Sequence, residues 1–305
     1  MSDKSNVNKA LLIAVIVLAA ALVGVLVYFL FPFHIHTQTQ SKSQTSNPAS
    51  ASAQAPTPTL SFERGVENWL GIECVYNNYG ANTTLSLVND IYTIAYGYLY
   101  DYSQTNNVTY LLMYPVAQYQ YIASKYPACA INESDQNLVS VVIGALNNIT
   151  GIANNLNIPG NLLGTPLFIV FDRSNNVTYV LAGASPFVFN AINYAKNGTT
   201  TTITYQGQEL GYGFKANSTQ VKTISEIISN SLRFGNPSAN ITVIEYLDPE
   251  CPYCALFQVM YGRELEQLVN SGSIFYAINY FPTHVLGYGC SSPTIAPMLG
   301  TICQG

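Results

Sequence analysis

Asp248-Pro249-Glu250-Cys251-Pro252-Tyr253-Cys254 stands between an apolar run, Ile241 to Leu247, and a helical pattern that ends near Asn270. That order predicts a strand, a tight turn carrying Cys-x-x-Cys, and a helix with the first thiol at its start. Unpaired backbone N–H groups and the positive end of the helix dipole favour thiolate over thiol there. A thiolate attacks disulfides, so the arrangement points to thiol–disulfide exchange. Two other uses of the pair stay open: half of a zinc site, or a plain structural disulfide. A zinc site needs a second ligand pair at matching spacing, and Cys290 and Cys303 are too far apart to be a second Cys-x-x-Cys.

Outward from this stretch, the chain has 305 residues, enough for two domains once non-globular parts are discounted. Hydrophobic residues make up 49% and charged residues 9%, the latter against about 25% in ordinary soluble domains. Polarity comes from Asn, Ser, Thr, Gln and 23 Tyr. The net charge of −5 is spread thinly with no basic patch, which argues against a nucleic-acid partner. Six cysteines, an even number, suit an oxidising compartment. Asn-x-Ser/Thr sequons stand at Asn82, Asn107, Asn132, Asn148, Asn176, Asn197, Asn217 and Asn240, a mild excess that agrees with an outside location.

The first 9 residues read as a cytoplasmic head with Lys4 and Lys9 beside an apolar segment. Residues 10–33 carry no charge. As a helix they would span about 36 Å, enough for a bilayer core of roughly 30 Å. The small residues Ala19 to Ala21 lie in its middle rather than beyond it, so an uncleaved signal anchor is expected rather than a cleaved signal peptide. No Lys or Arg follows until Lys42, which places the N-terminus in the cytoplasm and the bulk outside the cell membrane, on a single span. Residues 34–60, rich in Thr, Gln, Ser, Ala and Pro, read as a flexible stalk. His34 and His36 sit just past the span, and no metal role is assigned to them.

From Ser61 the pattern is globular. Leu70 to Tyr76 is a short apolar run containing Cys74. Leu87 to Tyr102 recurs at helical spacing, Val108 to Tyr114 is a strand candidate ending at Pro115, and Gln118 to Cys129 suits a helix. Leu138 to Leu156 marks another amphipathic helix. Gly164-Thr165-Pro166 then opens a hairpin, Leu167 to Asp172 and Val177 to Ala182, followed by a helix near Pro186 to Lys196. Thr200 to Tyr205 is a strand candidate, Val221 to Leu232 a short helix, and Ile274 to Tyr280 a strand.

Phe234-Gly235-Asn236-Pro237 through Cys254 resembles the start of a DsbA-like thiol-disulfide oxidoreductase of the thioredoxin superfamily, on its Gly-x-Pro lead-in, its apolar strand holding an acid, and Asp-Pro-x-Cys-Pro-x-Cys. The resemblance implies an α/β, thioredoxin-like fold. It implies Cys251 as nucleophile and Cys254 as resolver, with Pro252 and Tyr253 between them tuning the potential. It also implies a buried acid six residues before the first Cys, here Glu245, whose raised pKa would let it relay a proton. The alternative for Glu245 is a strand acid facing solvent or a Lys. The family's cis-proline loop normally lies downstream of the motif, often as Thr-Pro. Here the only good match is Thr165-Pro166, upstream.

Three arrangements follow from that departure: tandem thioredoxin-like units, a circularly permuted unit in which the hairpin after Thr165-Pro166 pairs with Ile241–Leu247, or a truncated product. The expectation carried forward is two units packed together. Residues 61–200 would hold the Thr-Pro loop without Cys-x-x-Cys, residues 201–305 the Cys-Pro-Tyr-Cys in an incomplete unit, and Pro166 would reach Cys251.

Cys74 with Cys129 and Cys290 with Cys303 could form structural bridges, although four cysteines allow three connectivities and one pair could instead be a relay that exchanges with Cys251. His284 either approaches the thiols or lies on the surface. The expected function is a thiol–disulfide oxidoreductase, membrane-anchored, needing no cofactor and no metal. Its partners would be exported proteins with thiols or disulfides, a membrane redox partner, and the lipid bilayer through residues 10–33. The alternative is a non-catalytic glycosylated surface binding protein in which Cys251–Cys254 is structural.

Overall fold

A computed structural model describes residues 62–131 and 138–284. The span expected at 10–33, the stalk, Asn132, Cys290 and Cys303 lie outside them. No helix among the described residues is long and apolar enough to cross a membrane. The described residues fall within one compact unit, Pro58–Gly305.

Three helices come first: α1 (Phe62–Tyr79), α2 (Ala81–Thr105) and α3 (Thr109–Lys125). After α4 (Leu138–Leu156) come β1 (Leu167–Asp172), β2 (Val177–Ala182), α5 (Phe187–Lys196), β3 (Thr202–Tyr205), β4 (Gln208–Lys215) and α6 (Ser218–Ser229). β5 (Leu232–Gly235) and β6 (Ile241–Leu247) precede a helical stretch made of α7 (Pro252–Phe257), a π-turn (Gln258–Gly262) and α8 (Arg263–Asn270), and β7 (Ile274–Tyr280) closes the order.

The strands form one seven-stranded sheet, ordered β3-β4-β2-β1-β6-β7-β5. β6 and β7 run parallel, with Ile241 opposite Ile274 and Leu247 opposite Tyr280. Parallel neighbours cannot be joined by a tight turn, so residues 252–270 cross over as helix. The other pairings are antiparallel. β1 lies against β6 with Leu167 opposite Tyr246 and Asp172 opposite Ile241.

Both faces of the sheet are covered, which explains why β1 and β6 read as unbroken apolar runs rather than alternating ones. Phe168 and Val170 of β1, with Val243 and Leu247 of β6, pack towards α1, α2, α5 and α7. Leu167, Ile169, Phe171, Ile244 and Tyr246 pack on the opposite face against α4 and α6. Glu245 shares its parity with Val243 and Leu247, so it faces the thiol-bearing helix.

Where two units packed together were expected, strands from residues 61–200 and from 201–305 share one sheet, and the first stretch supplies only β1 and β2 to it. The hairpin after Thr165-Pro166 pairs with β6, as the permuted arrangement requires. Val108–Tyr114 is not a strand, because Thr109–Tyr114 belongs to α3 and Pro115 sits buried inside that helix. Asn68 Nδ2 donates to the Pro115 carbonyl at 3.0 Å. The short apolar run Leu70–Tyr76 lies within α1. Short apolar runs have no period that separates strand from buried helix, and the packing of α1 to α3 decides these two. β4, whose Gln and Gly content hides a strand, and the short edge strand β5 are absent from the sequence reading. Leu232 opens β5 instead of ending α6.

Candidate active site

The turn before Cys251 is held from outside by the helical layer. Tyr92 Oη donates to the Asp248 carbonyl at 3.0 Å, Gln118 Nε2 to the Pro249 carbonyl at 3.1 Å, and the Tyr114 hydroxyl to the Glu250 carbonyl. Three successive carbonyls of the turn are thus bonded to the helical layer, the Asp248 carbonyl also accepts from the Cys251 N–H at 2.9 Å, and Cys251 caps α7. Pro252 occupies the first helical turn, where its missing N–H costs nothing. Tyr253 is half-buried against the core.

Cys251 and Cys254 are free thiols, 5% and 0% exposed. The Cys254 N–H donates to Cys251 Sγ at 3.4 Å. Across from them the Thr165–Pro166 peptide is cis, and Cys251 Sγ donates to the Thr165 carbonyl at 3.2 Å, 86 residues away in sequence. Asp248 ties these parts together. Its Oδ2 accepts from the His284 N–H at 3.1 Å, from the Thr283 hydroxyl at 3.2 Å, and faces His284 Nδ1 at 3.0 Å. With the Thr283 proton on Asp248, Thr165 Oγ1 donates to Thr283 Oγ1 at 2.7 Å.

The two thiols are pushed in opposite directions. Burial raises both. At Cys251 this is overturned chiefly by side-chain hydrogen bonding from Cys254 and by the His284 cation, so its pKa falls below the usual thiol value. At Cys254, burial is joined by the Cys251 sulfur and the Glu245 carboxylate, and the pKa rises. Burial would lower the His284 ring, but the Asp248 carboxylate raises it to about 9 by charge and hydrogen bond. Asp248 is in turn held low: burial opposes ionisation, and the His284 charge and hydrogen bonds outweigh it.

Glu245 is fully buried. Gln258 Nε2 donates to its two oxygens at 3.1 and 3.3 Å, and the Tyr276 hydroxyl donates to Oε2. Burial raises its pKa to about 7, with these two donors pulling the other way. It neither faces solvent nor meets a lysine. The arrangement can ionise one thiol readily, keep the other protonated, and offer a buried carboxyl near neutrality.

Asp248, Glu250 and His284 place ligand atoms within 4.8 Å of one another and are the described residues that could hold a metal. His284 Nδ1 is already engaged with Asp248, which fits an ion pair as well as a ligand set. Cys74 and Cys129 form a disulfide, with Cα atoms 5.5 Å apart, that ties α1 to the turn after α3. The seven sequon asparagines among the described residues are exposed. The sequence reading gave no role to Asp248, Thr283, Tyr92, Gln258 or Tyr276, and left His284 between thiols and surface. Asp248 lay within the quoted motif, whereas the others approach the thiols only through the fold.

A thioredoxin family model matches residues 228–295, less than a quarter of the chain, covering β5, β6, the thiols and β7. The chain is 27% identical over 90 residues to a Rickettsia typhi protein named "Putative protein-disulfide oxidoreductase", a match spanning 29% of this chain and 32% of that protein. Over 62 residues it is 29% identical to same-named proteins of Rickettsia conorii and Rickettsia felis, spanning 20% of this chain and 22% of each. The chain therefore spans a third or less of these relatives' length. No solved structure matches it. The chain contains a thioredoxin-like domain within a mixed α/β fold, and these similarities support a thiol–disulfide oxidoreductase in general terms.

Proposed function

We propose that the protein is a thiol–disulfide oxidoreductase acting on exported proteins, with Cys251 as nucleophile, Cys254 as resolver and Glu245 as proton acceptor. The observation that carries this reading is the contact of Cys251 Sγ with the Thr165 carbonyl of the cis Thr165–Pro166 loop, on a thiol whose pKa is lowered beside one whose pKa is raised. The fold is read as a circularly permuted thioredoxin arrangement, in which the upstream hairpin β1–β2 stands where the family has its downstream half. The three-helix layer α1–α3 is an addition that braces the motif's turn.

In the reducing direction, the Cys251 thiolate attacks a substrate disulfide, and one substrate sulfur leaves as thiolate and takes a proton. A Cys251–substrate disulfide remains. Cys254 then gives its proton to the Glu245 carboxylate and attacks Cys251 Sγ. The Cys251–Cys254 bond forms, the Cys251–substrate bond breaks, and the second substrate thiolate leaves. Two protein thiols are oxidised and one substrate disulfide is reduced. The reverse sequence oxidises substrate. An anchor at residues 10–33 and a stalk at 34–60 would hold this chemistry outside the cell membrane, where exposed sequons and the Cys74–Cys129 bridge are at home.

In the full chain, Cys251→Ser should abolish reduction of a disulfide-bonded peptide, and Cys254→Ser should accumulate a mixed disulfide visible by mass spectrometry. Full turnover by Cys251→Ser would sink the assignment.

A further inference from the structure

We propose that Gln258 and Tyr276 are positioning residues for the Glu245 carboxyl, and that the π-turn Gln258–Gly262 presents Gln258 to it. This deepens the reading of Glu245 as the proton acceptor for Cys254 and rests on it.

The two donors reach Glu245 from different elements. Tyr276 stands on β7, its backbone opposite Val243 rather than Glu245, so its hydroxyl crosses diagonally to Oε2. Gln258 stands at the first position of the π-turn, 7% exposed, with Nε2 on both carboxylate oxygens. A π-turn widens an α-helix by one residue, is rare, and is frequent at functional sites.

Gly262 supplies the second observation. Its backbone is ordinary helix, φ −57 and ψ −38, so no conformational demand requires glycine. Glycine inside a helix costs about 1 kcal/mol relative to alanine. A Cβ at 262, however, would lie 2.7 Å from Gln258 Oε1 and 3.2 Å from Asn89 Oδ1. The missing side chain is the space in which the Gln258 amide lies with its nitrogen turned to Glu245.

The chemical consequence follows from the balance at the carboxyl. Burial favours the acid form, and the two donors favour the carboxylate. Only the carboxylate can take the Cys254 proton. The titratable groups that interact with Glu245 are Tyr276 from β7, Cys251 and Cys254 from α7 and its cap, and Tyr92 from α2. The two tyrosines stay protonated because burial, first of all, raises their phenols well above the usual value. With either donor lost, the carboxyl holds its proton to higher pH and Cys254 is activated later.

The test follows the full chain loaded at Cys251 with 5-thio-2-nitrobenzoate from Ellman's reagent, reading the second release, which is the Cys254 attack, from pH 5 to 9. In the wild type its rate should inflect near the Glu245 titration. Gln258→Met and Tyr276→Phe should move that inflection up by about one unit, a tenfold slower second release below it. Gly262→Ala should move it in the same direction. A far-UV circular dichroism spectrum equal to that of the wild type reports that each variant is folded. If Glu245→Gln abolishes the inflection while Gln258→Met and Tyr276→Phe leave it in place, the positioning role is overturned and the Glu245 reading survives. If Glu245→Gln leaves the inflection unmoved, both fall.

Discussion

Two thiols three residues apart sit in opposite electrostatic settings, and the cause lies in residues distant in sequence. Cys251 has the His284 cation near it, while Cys254 has Glu245. His284 is about a quarter exposed, and Asp248 is almost wholly buried. Its ring keeps its charge up to about pH 9, so the cation accompanies the thiolate through the whole neutral range and is lost only above that. His284→Gln is therefore expected to raise the pH midpoint of Cys251 alkylation by iodoacetamide. At a pH below both midpoints, a shift of one unit leaves about a tenth of the thiolate. An unmoved midpoint would remove His284 from the site. The helix start at Cys251 and the strand that carries Glu245 were legible at this scale because a spacing, a strand and a helix start are local. His284 was not, since a lone histidine beyond a strand carries no local sign that it folds back onto Asp248.

Among elements, the helices α1–α3 do more than cover one face of the sheet. Through Tyr92, Gln118 and Tyr114 they accept responsibility for three consecutive carbonyls of the motif's turn. Asn68 of α1 in turn donates to Gln118 Oε1 at 3.3 Å. The Cys74–Cys129 bridge closes a separation of 55 residues within the same layer, a constraint of about 4 kcal/mol by chain entropy. Gln118→Leu should leave the Pro249 carbonyl without its donor and lower stability by about 1–3 kcal/mol in urea unfolding. It should also slow exchange at Cys251, because the turn is released. Stability and rate both equal to wild type would mean that the layer does not brace the turn. The long amphipathic helices α2 and α4 were readable from periodicity. Residues 109–114 were not, because six apolar residues fit strand or helix equally and Pro115 suggests an ending that its place in a packed layer overrides.

At the scale of the molecule, β6 joins the two parts of the sheet: β7 flanks it from downstream sequence and β1 from upstream. A fragment of residues 201–305 would expose the β1 side of β6 and lack the Thr165 carbonyl. It should show no cooperative thermal transition by circular dichroism, and its Cys251 should alkylate with the pH midpoint of an ordinary thiol. A fragment that melts cooperatively with a lowered Cys251 midpoint would show that the upstream hairpin is dispensable.

What the sequence determined by itself is the dithiol, its helix start, the strand acid and the Thr-Pro hairpin, since each is written in a few consecutive residues with a strong local preference. Only the tertiary structure decided that the hairpin completes the sheet beside β6, bringing Thr165 to Cys251 across 86 residues. Edge pairing depends on which strand is free to accept hydrogen bonds once the chain has collapsed, and no local pattern encodes that choice. The same holds for His284, Gln258 and Tyr276. Their side chains meet buried carboxylates only because helices and strands far apart in sequence enclose one volume, where burial makes each remaining hydrogen bond decisive.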